Sequence, residues 1–360
     1  MTTMSIIFKI FTVTFFLLSL MPVISFADAL DDSFETCRNS SGVNCDGVCT
    51  INEADEILLT NDNAPTDATD ETTIRNACNE RPDKYKIRFY KAGLCTSSPL
   101  ATSGTTNPTG SEQGCYNFFD KSSETLDSGG TAIILTNNAD GTVSANVSLA
   151  EGVTDIDNGS YGYFYAILSN MLEVRHIETF SSNVKGNADT SGKVCWTINK
   201  TTSYTGDTSS IRGNATVVAP SDDITNRTMK CGTAVDSDLD YAKDIIDDIA
   251  NDPQNDAFSA GGSSYVSFSD NNGTDLGGTV AAKLLQSDNL TIATSANDAF
   301  RIFYGINFSS PIVIDDSTTR FEMSFNVSGA VSVDFASDGS NNLTVLKTGA
   351  DPFQIKVTAE

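Results

Sequence analysis

Phe300-Arg301-Ile302-Phe303-Tyr304-Gly305-Ile306-Asn307-Phe308 puts Phe300, Ile302, Tyr304, Ile306 and Phe308 on one side of an extended chain. A period of two is the strand signature, because successive side chains of a strand point to opposite faces. The later segments repeat it in Phe321, Met323, Phe325 and Val327, in Val331, Val333 and Phe335, and in Phe353, Ile355 and Val357. Each apolar face needs a second layer to cover it, and turns such as Ser328-Gly329 and Asp338-Gly339-Ser340 separate the runs. The reading is a mainly β fold of antiparallel sandwiches, Ig-like or jelly-roll-like. There is no alternation of strand and helix patterns, which disfavours a parallel α/β fold.

Toward the N-terminus the same period continues. Tyr85, Ile87 and Phe89 share a face, after which the apolar phase slips to Ala92 and Leu94, so a bulge is expected near Tyr90 and Lys91. Val143, Ala145, Val147 and Leu149 form another face, Tyr161 to Val174 is aromatic on both faces at first, as in a strand buried on both sides or a chain crossing between sheets, and Val194, Trp196 and Ile198 extend the series. One stretch departs from it. Ser237 can cap a helix with the stripe Leu239, Ala242, Ile246 and Ile249, and Pro253 lies just past its end. The expected division is a signal peptide at 1–27, a Cys-rich segment at 28–80, one sandwich at 81–235, helix and hinge at 236–262, and a second sandwich at 263–360.

The N-terminus has the layout of a cleavable export signal. Lys9 precedes the apolar run Ile10 to Ile24, and Ser25-Phe26-Ala27 or Ala27-Asp28-Ala29 supplies small residues for cleavage. As a helix that run would span roughly 22 Å, short of the ~30 Å hydrocarbon core. Nothing later approaches the length of a membrane helix, so the processed chain is expected to be soluble. The bacterial look of the signal points to the periplasm, the cell surface or the medium of a Gram-negative organism. The chain carries 47 acids against 22 Lys and Arg, a formal charge of −25. Such a balance repels phosphate backbones and argues against nucleic-acid binding.

Eight cysteines in an oxidising compartment read as four disulfides, although 105 pairings are possible. Proximity pairs Cys95 with Cys115 and Cys195 with Cys231, leaving Cys37, Cys45, Cys49 and Cys78 to staple the N-terminal segment. That segment contains Gly42-Val43-Asn44-Cys45-Asp46-Gly47-Val48-Cys49-Thr50-Ile51-Asn52-Glu53, with a helix-compatible run to Leu59. It resembles an EF-hand loop and, over Val43 to Val48, half of a dockerin repeat. The resemblance implies calcium on Asn44, Asp46, the Val48 carbonyl, Thr50 and Glu53, with Gly47 at the sharp turn. Gly42 stands where the first carboxylate belongs, and Cys49 where an apolar residue is usual. A tight Asp46-Gly47 turn inside a disulfide knot explains the same residues without metal.

His176 is the only histidine, which excludes HExxH and other multi-histidine centres. There is no GxSxG elbow, and among Glu173, Arg175 and Glu178 the residue reads as a solvated strand position. Tyr161, Tyr163 and Tyr165 fall on one face, and with Trp196 are candidates for stacking a sugar ring or for filling a sandwich core. No catalytic residue and no cofactor other than possible calcium emerges. The expected role is a binding, adhesive or structural protein with a protein or glycan partner at the cell envelope. Self-assembly through a terminal strand such as Phe353 to Val357 belongs to that reading. The alternative is a secreted carbohydrate-active hydrolase using paired carboxylates.

Overall fold

The structure, a computed structural model, describes residues 48–49, 51–58, 76–100, 114–137, 143–145, 156–203, 215–217, 227–247, 278–289, 291–319, 321–337, 343–350 and 353–359. The expected signal peptide lies outside them. Nineteen strands are formed among the described residues. The first half contains β1 (Asn76–Glu80), β2 (Lys84–Cys95), β3 (Cys115–Asp120), β4 (Thr131–Asn137), β5 (Val143–Ala145), β6 (Gly159–Ser169) and β7 (Met171–Arg175). Then come β8 (Ile177–Lys185), β9 (Ser191–Thr197), β10 (Thr201–Ser203), β11 (Ala215–Val217), β12 (Met229–Gly232) and β13 (Ala242–Ile245). The last six are β14 (Gly278–Leu285), β15 (Arg301–Ile314), β16 (Phe321–Asn326), β17 (Val331–Ser337), β18 (Leu343–Ala350) and β19 (Gln354–Ala359).

These strands make three sheets. The largest, of 11 strands, runs β11-β10-β13-β7-β2-β6-β15-β14, with β3, β4 and β5 joined through β2. A six-stranded sheet runs β1-β17-β18-β8-β9-β12, and β16 pairs with β19 in a separate ribbon. Pairing is antiparallel apart from β10 with β11 and β13, and one residue pair between β18 and β8. The mainly β architecture is therefore the one that the period-two runs require. Its strands are distributed differently from the expected sequential sandwiches: β6 pairs with β15, and β1 with β17. Both sheets thus mix strands from before residue 235 with strands from after residue 263.

The main core lies between the large sheet and the ribbon. Tyr85 meets Phe353 at 5.7 Å between ring centroids, Phe89 meets Phe325 at 5.9 Å, and Phe118 meets Phe321 at 5.0 Å. Tilted and edge-to-face arrangements at these separations are those that aromatic quadrupoles prefer. The six-stranded sheet has a smaller core of ten buried residues: Cys49, Ile57, Cys78, Phe180, Val184, Cys195, Met229, Cys231, Val333 and Val345. Four of the ten are cysteines, so covalent staples supplement a limited apolar area there.

The bulge expected on β2 is present. β2 meets β6 at Phe89↔Leu168 and again at Lys91↔Ile167, so Tyr90 is the extra residue. Its ring turns to the opposite face of the sheet, where it packs with Cys95, Tyr165, Ile167 and Phe303. A larger irregularity separates Tyr161 from Tyr163. The four residues from Phe308 to Pro311 stand opposite the single Gly162. Tyr161 consequently joins the main core, whereas Tyr163 and Tyr165 face the other side, and the three tyrosines do not share one face as expected.

Among the described residues 237–247 the helix expected from Ser237 does not form. Residues 242–245 are β13, antiparallel to β7 and parallel to β10. Ala242, Ile245 and Ile246 are buried, and Asp244 is buried as well, accepting hydrogen bonds from the Thr202 hydroxyl (3.0 Å) and the Ala350 N–H (3.2 Å). A helix would have left Asp244 on its wet side. Tertiary pairing overrides helical propensity here because β-branched Ile245 and Ile246 suit a strand and Asp244 finds partners in β10 and β18.

Candidate functional site

The ribbon is built from two strands of alternating pattern, and its two halves are covered unequally. Ile355 and Val357 of β19, with Phe353 just before it, are buried in the main core. Phe321, Met323 and Phe325 of β16 pack against the same core but remain half-buried. β16 therefore lies at the margin of the layer. Its register with β19 is regular from Phe321↔Ala359 to Asn326↔Gln354. Among the described residues, neither strand pairs with any other strand, which makes the ribbon a two-stranded sheet with two edges.

Three disulfides join described residues: Cys49 with Cys78, Cys95 with Cys115, and Cys195 with Cys231. The last two are the pairs read from proximity, and each links residues directly opposite in an antiparallel ladder. Cys37 and Cys45 lie outside the described residues, as do Asn44, Asp46 and Thr50 of the calcium-like loop. Val48 bridges to Asn79, and Glu53 is exposed. The helix-compatible run after the loop is instead a small hairpin closed by an Ile51↔Ile57 bridge. At its tip the Asn52 carboxamide oxygen accepts hydrogen bonds from the N–H groups of Ala54 (2.9 Å) and Glu56 (3.0 Å). No group of three or more His, Cys, Asp or Glu side chains arranged for a metal ion occurs among the described residues. No described helix is long and apolar enough to cross a membrane.

The aromatic candidates for sugar stacking are interior. Tyr161, Tyr165 and Trp196 are buried and Tyr163 is half-buried. Trp196 donates its indole N–H to Asp236 at 3.1 Å, and Tyr165 donates its hydroxyl to the Asn117 side chain at 2.5 Å. Arg301 lies 3.6 Å from the Tyr90 ring centroid, a cation–π contact on a buried face.

His176 is not solvated. It is the single residue between β7, in the large sheet, and β8, in the six-stranded sheet, and is 3% exposed. Its N–H donates to the Thr197 hydroxyl oxygen (3.0 Å), and the Thr197 N–H donates to its carbonyl (3.0 Å). The ring Nε2 lies 3.0 Å from Glu178 Oε2, whose other oxygen accepts the Thr179 N–H. Nδ1 is buried without a hydrogen-bond partner. Burial alone would push the imidazole pKa down. The hydrogen bond and charge of Glu178, with the charges of Asp83 and Glu80, outweigh burial and hold it above its ordinary value. Glu178 and Glu80 are 5% and 2% exposed, so these two carboxylates face the interior and not a saccharide. The sequence showed the neighbouring acids of His176, but an acid-flanked histidine on a polar-looking strand carries no sign of being enclosed. Glu80, from β1, had no signal at all.

No protein-family model, curated protein or solved structure matches the chain.

Proposed function

We propose that this is an exported, disulfide-stabilised β-sandwich protein of the periplasm, cell surface or surrounding medium of a Gram-negative bacterium, with a binding, adhesive or structural role. Its partner engages by adding a strand along β16. The observation that carries this reading is the margin of the ribbon, where Phe321, Met323 and Phe325 are only half covered on a strand that, among the described residues, pairs with β19 and no other strand. A strand added there completes the ladder and lays alternate apolar side chains over those three residues. Backbone hydrogen bonds supply the affinity and the alternation supplies the register. The partner segment is thus extended, apolar at every second position, and belongs to another protein at the envelope or to a second copy of this chain. Three disulfides and a mainly β fold support work outside the reducing cytoplasm.

Amide hydrogen exchange at low and high protein concentration, with sedimentation in parallel, tests this. In dilute protein, alternate amides along β16 are expected to exchange rapidly while their neighbours, bonded to β19, are protected. Addition of an extended apolar-alternating peptide, or self-association, protects the fast set. Uniform protection of β16 in a dilute monomer would mean that the edge is already covered, and the reading fails.

A further inference from the structure

Resting on strand addition along β16, we propose that the strand added is β16 of a second copy of this chain, laid antiparallel so that the two Met323 residues meet on a two-fold axis. The assembly is an isologous dimer, in which one patch serves both partners.

The apolar row of β16 reads the same in both directions. Phe321 and Phe325 stand at equal spacing on either side of Met323, and all three are half-buried against the main core. Antiparallel pairing about Met323 sets Phe321 opposite Phe325 of the other copy and Met323 opposite itself, on the face that continues the core. With the axis at position 322 or 324, Phe325 would face Thr319 or Phe321 would face Val327, both outside β16. A slip by one residue sets every apolar position against one of the opposite face. The register about Met323 also pairs Glu322 with Ser324, so no acid stands directly opposite another acid. A partner of unrelated sequence gives the symmetry of this row no role. The ends of the row are anchored, Phe321 on the Phe118 ring (5.0 Å) and Phe325 on the Phe89 ring (5.9 Å). Between them Met323 is unbranched and adaptable, which suits a position that must pack against its own copy. β16 contains none of the Lys, Pro or Gly residues that blunt or weaken an edge strand, whereas β19, at the other edge, contains Lys356. One short strand from each copy makes a small interface, so the dimer depends on concentration. Each copy also carries a formal charge of −25, and that repulsion opposes assembly until salt screens it.

Sedimentation of the intact protein over a concentration series is expected to show a monomer–dimer equilibrium that tightens as salt rises, because the junction is apolar and the opposing repulsion is screened. Met323→Lys should weaken the dimer by about tenfold or more, since it places two like charges on the axis. A short bis-maleimide should join Met323→Cys copies to each other, the described native cysteines being already paired. Phe321→Cys copies should couple to Phe325→Cys copies and not to themselves, because in this register the two positions 321 lie about 14 Å apart along the strands. A monomer at every concentration and salt, in which an extended peptide still protects the fast β16 amides, overturns the second copy as partner and leaves strand addition standing. Uniform protection of β16 in the dilute monomer overturns both. A dimer that loosens with salt, that Met323→Lys leaves intact, or in which Phe321→Cys copies join to themselves overturns the two-fold at Met323.

Discussion

At Gly192 a methyl group has nowhere to go: a Cβ there would lie 2.0 Å from the Gly232 carbonyl oxygen and 2.2 Å from its carbon. Both contacts are backbone, so relief requires β9 and β12 to separate where Cys195 and Cys231 hold them together. Gly192→Ala should destabilise by about 3 kcal/mol, the upper part of the overpacking range. Gly162, opposite the β15 irregularity, has nothing within 4 Å of such a Cβ. Gly162→Ala should be neutral or add roughly 0.5 kcal/mol through reduced backbone freedom. Denaturant unfolding of the two variants makes the comparison, and equal effects would mean that the β9–β12 approach is looser than described. Gly192 lies between Ser191 and Lys193 and Gly162 between Tyr161 and Tyr163, and only the pairing of strands shows that the first is crowded and the second open.

The strands themselves were legible because burial on one face imposes a period of two, and even the bulge at Tyr90 was visible as a slip in that period. What the period cannot reveal is which strand covers which face. Tyr161 and Tyr163 look equivalent until the β15 irregularity turns them to opposite sides. The misread helix has a similar cause: Leu239, Ala242, Ile246 and Ile249 do fit 3.6 residues per turn, but Asp244 finds its partners in β10 and β18. Replacement of the helical run after the calcium-like loop by a hairpin removes the second half of an EF-hand. Calorimetric titration with calcium should accordingly give the same heats before and after Asp46→Ala, and an Asp46-dependent heat would restore the metal reading. In the six-stranded sheet, where cysteines make up so much of the core, the staples matter most. Removing Cys195 and Cys231 together, which are 36 residues apart, should cost about 4 kcal/mol in the chain-entropy model, against about 3 for Cys95 and Cys115, 20 apart. Denaturant midpoints of the two double alanine variants measure the difference.

Across the whole molecule the chain returns repeatedly to sheets it has left. β1 belongs to the six-stranded sheet, β2 to β7 to the large one, β8 and β9 to the first again, and β17 and β18 come back to it after β14 and β15 have extended the other. Neither sheet can be completed by residues from one side of Gly261 and Gly262 alone. A protease site placed between those two glycines therefore provides a direct test of how the halves depend on each other. All eight cysteines precede that point, so no disulfide can hold the cut pieces together. The β6–β15 and β1–β17 ladders, with the ribbon packed on the large sheet, should nonetheless keep them associated. The cut protein is expected to elute as the uncut one does and to unfold in a single transition, because the main core draws side chains from both pieces. Separation of the pieces under native conditions, each with its own cooperative melt, would instead require two self-sufficient sandwiches, with β6 and β15 stable apart. The long paired register between those two strands makes that the unfavourable outcome, since each would expose an apolar edge bounded on both faces by core residues.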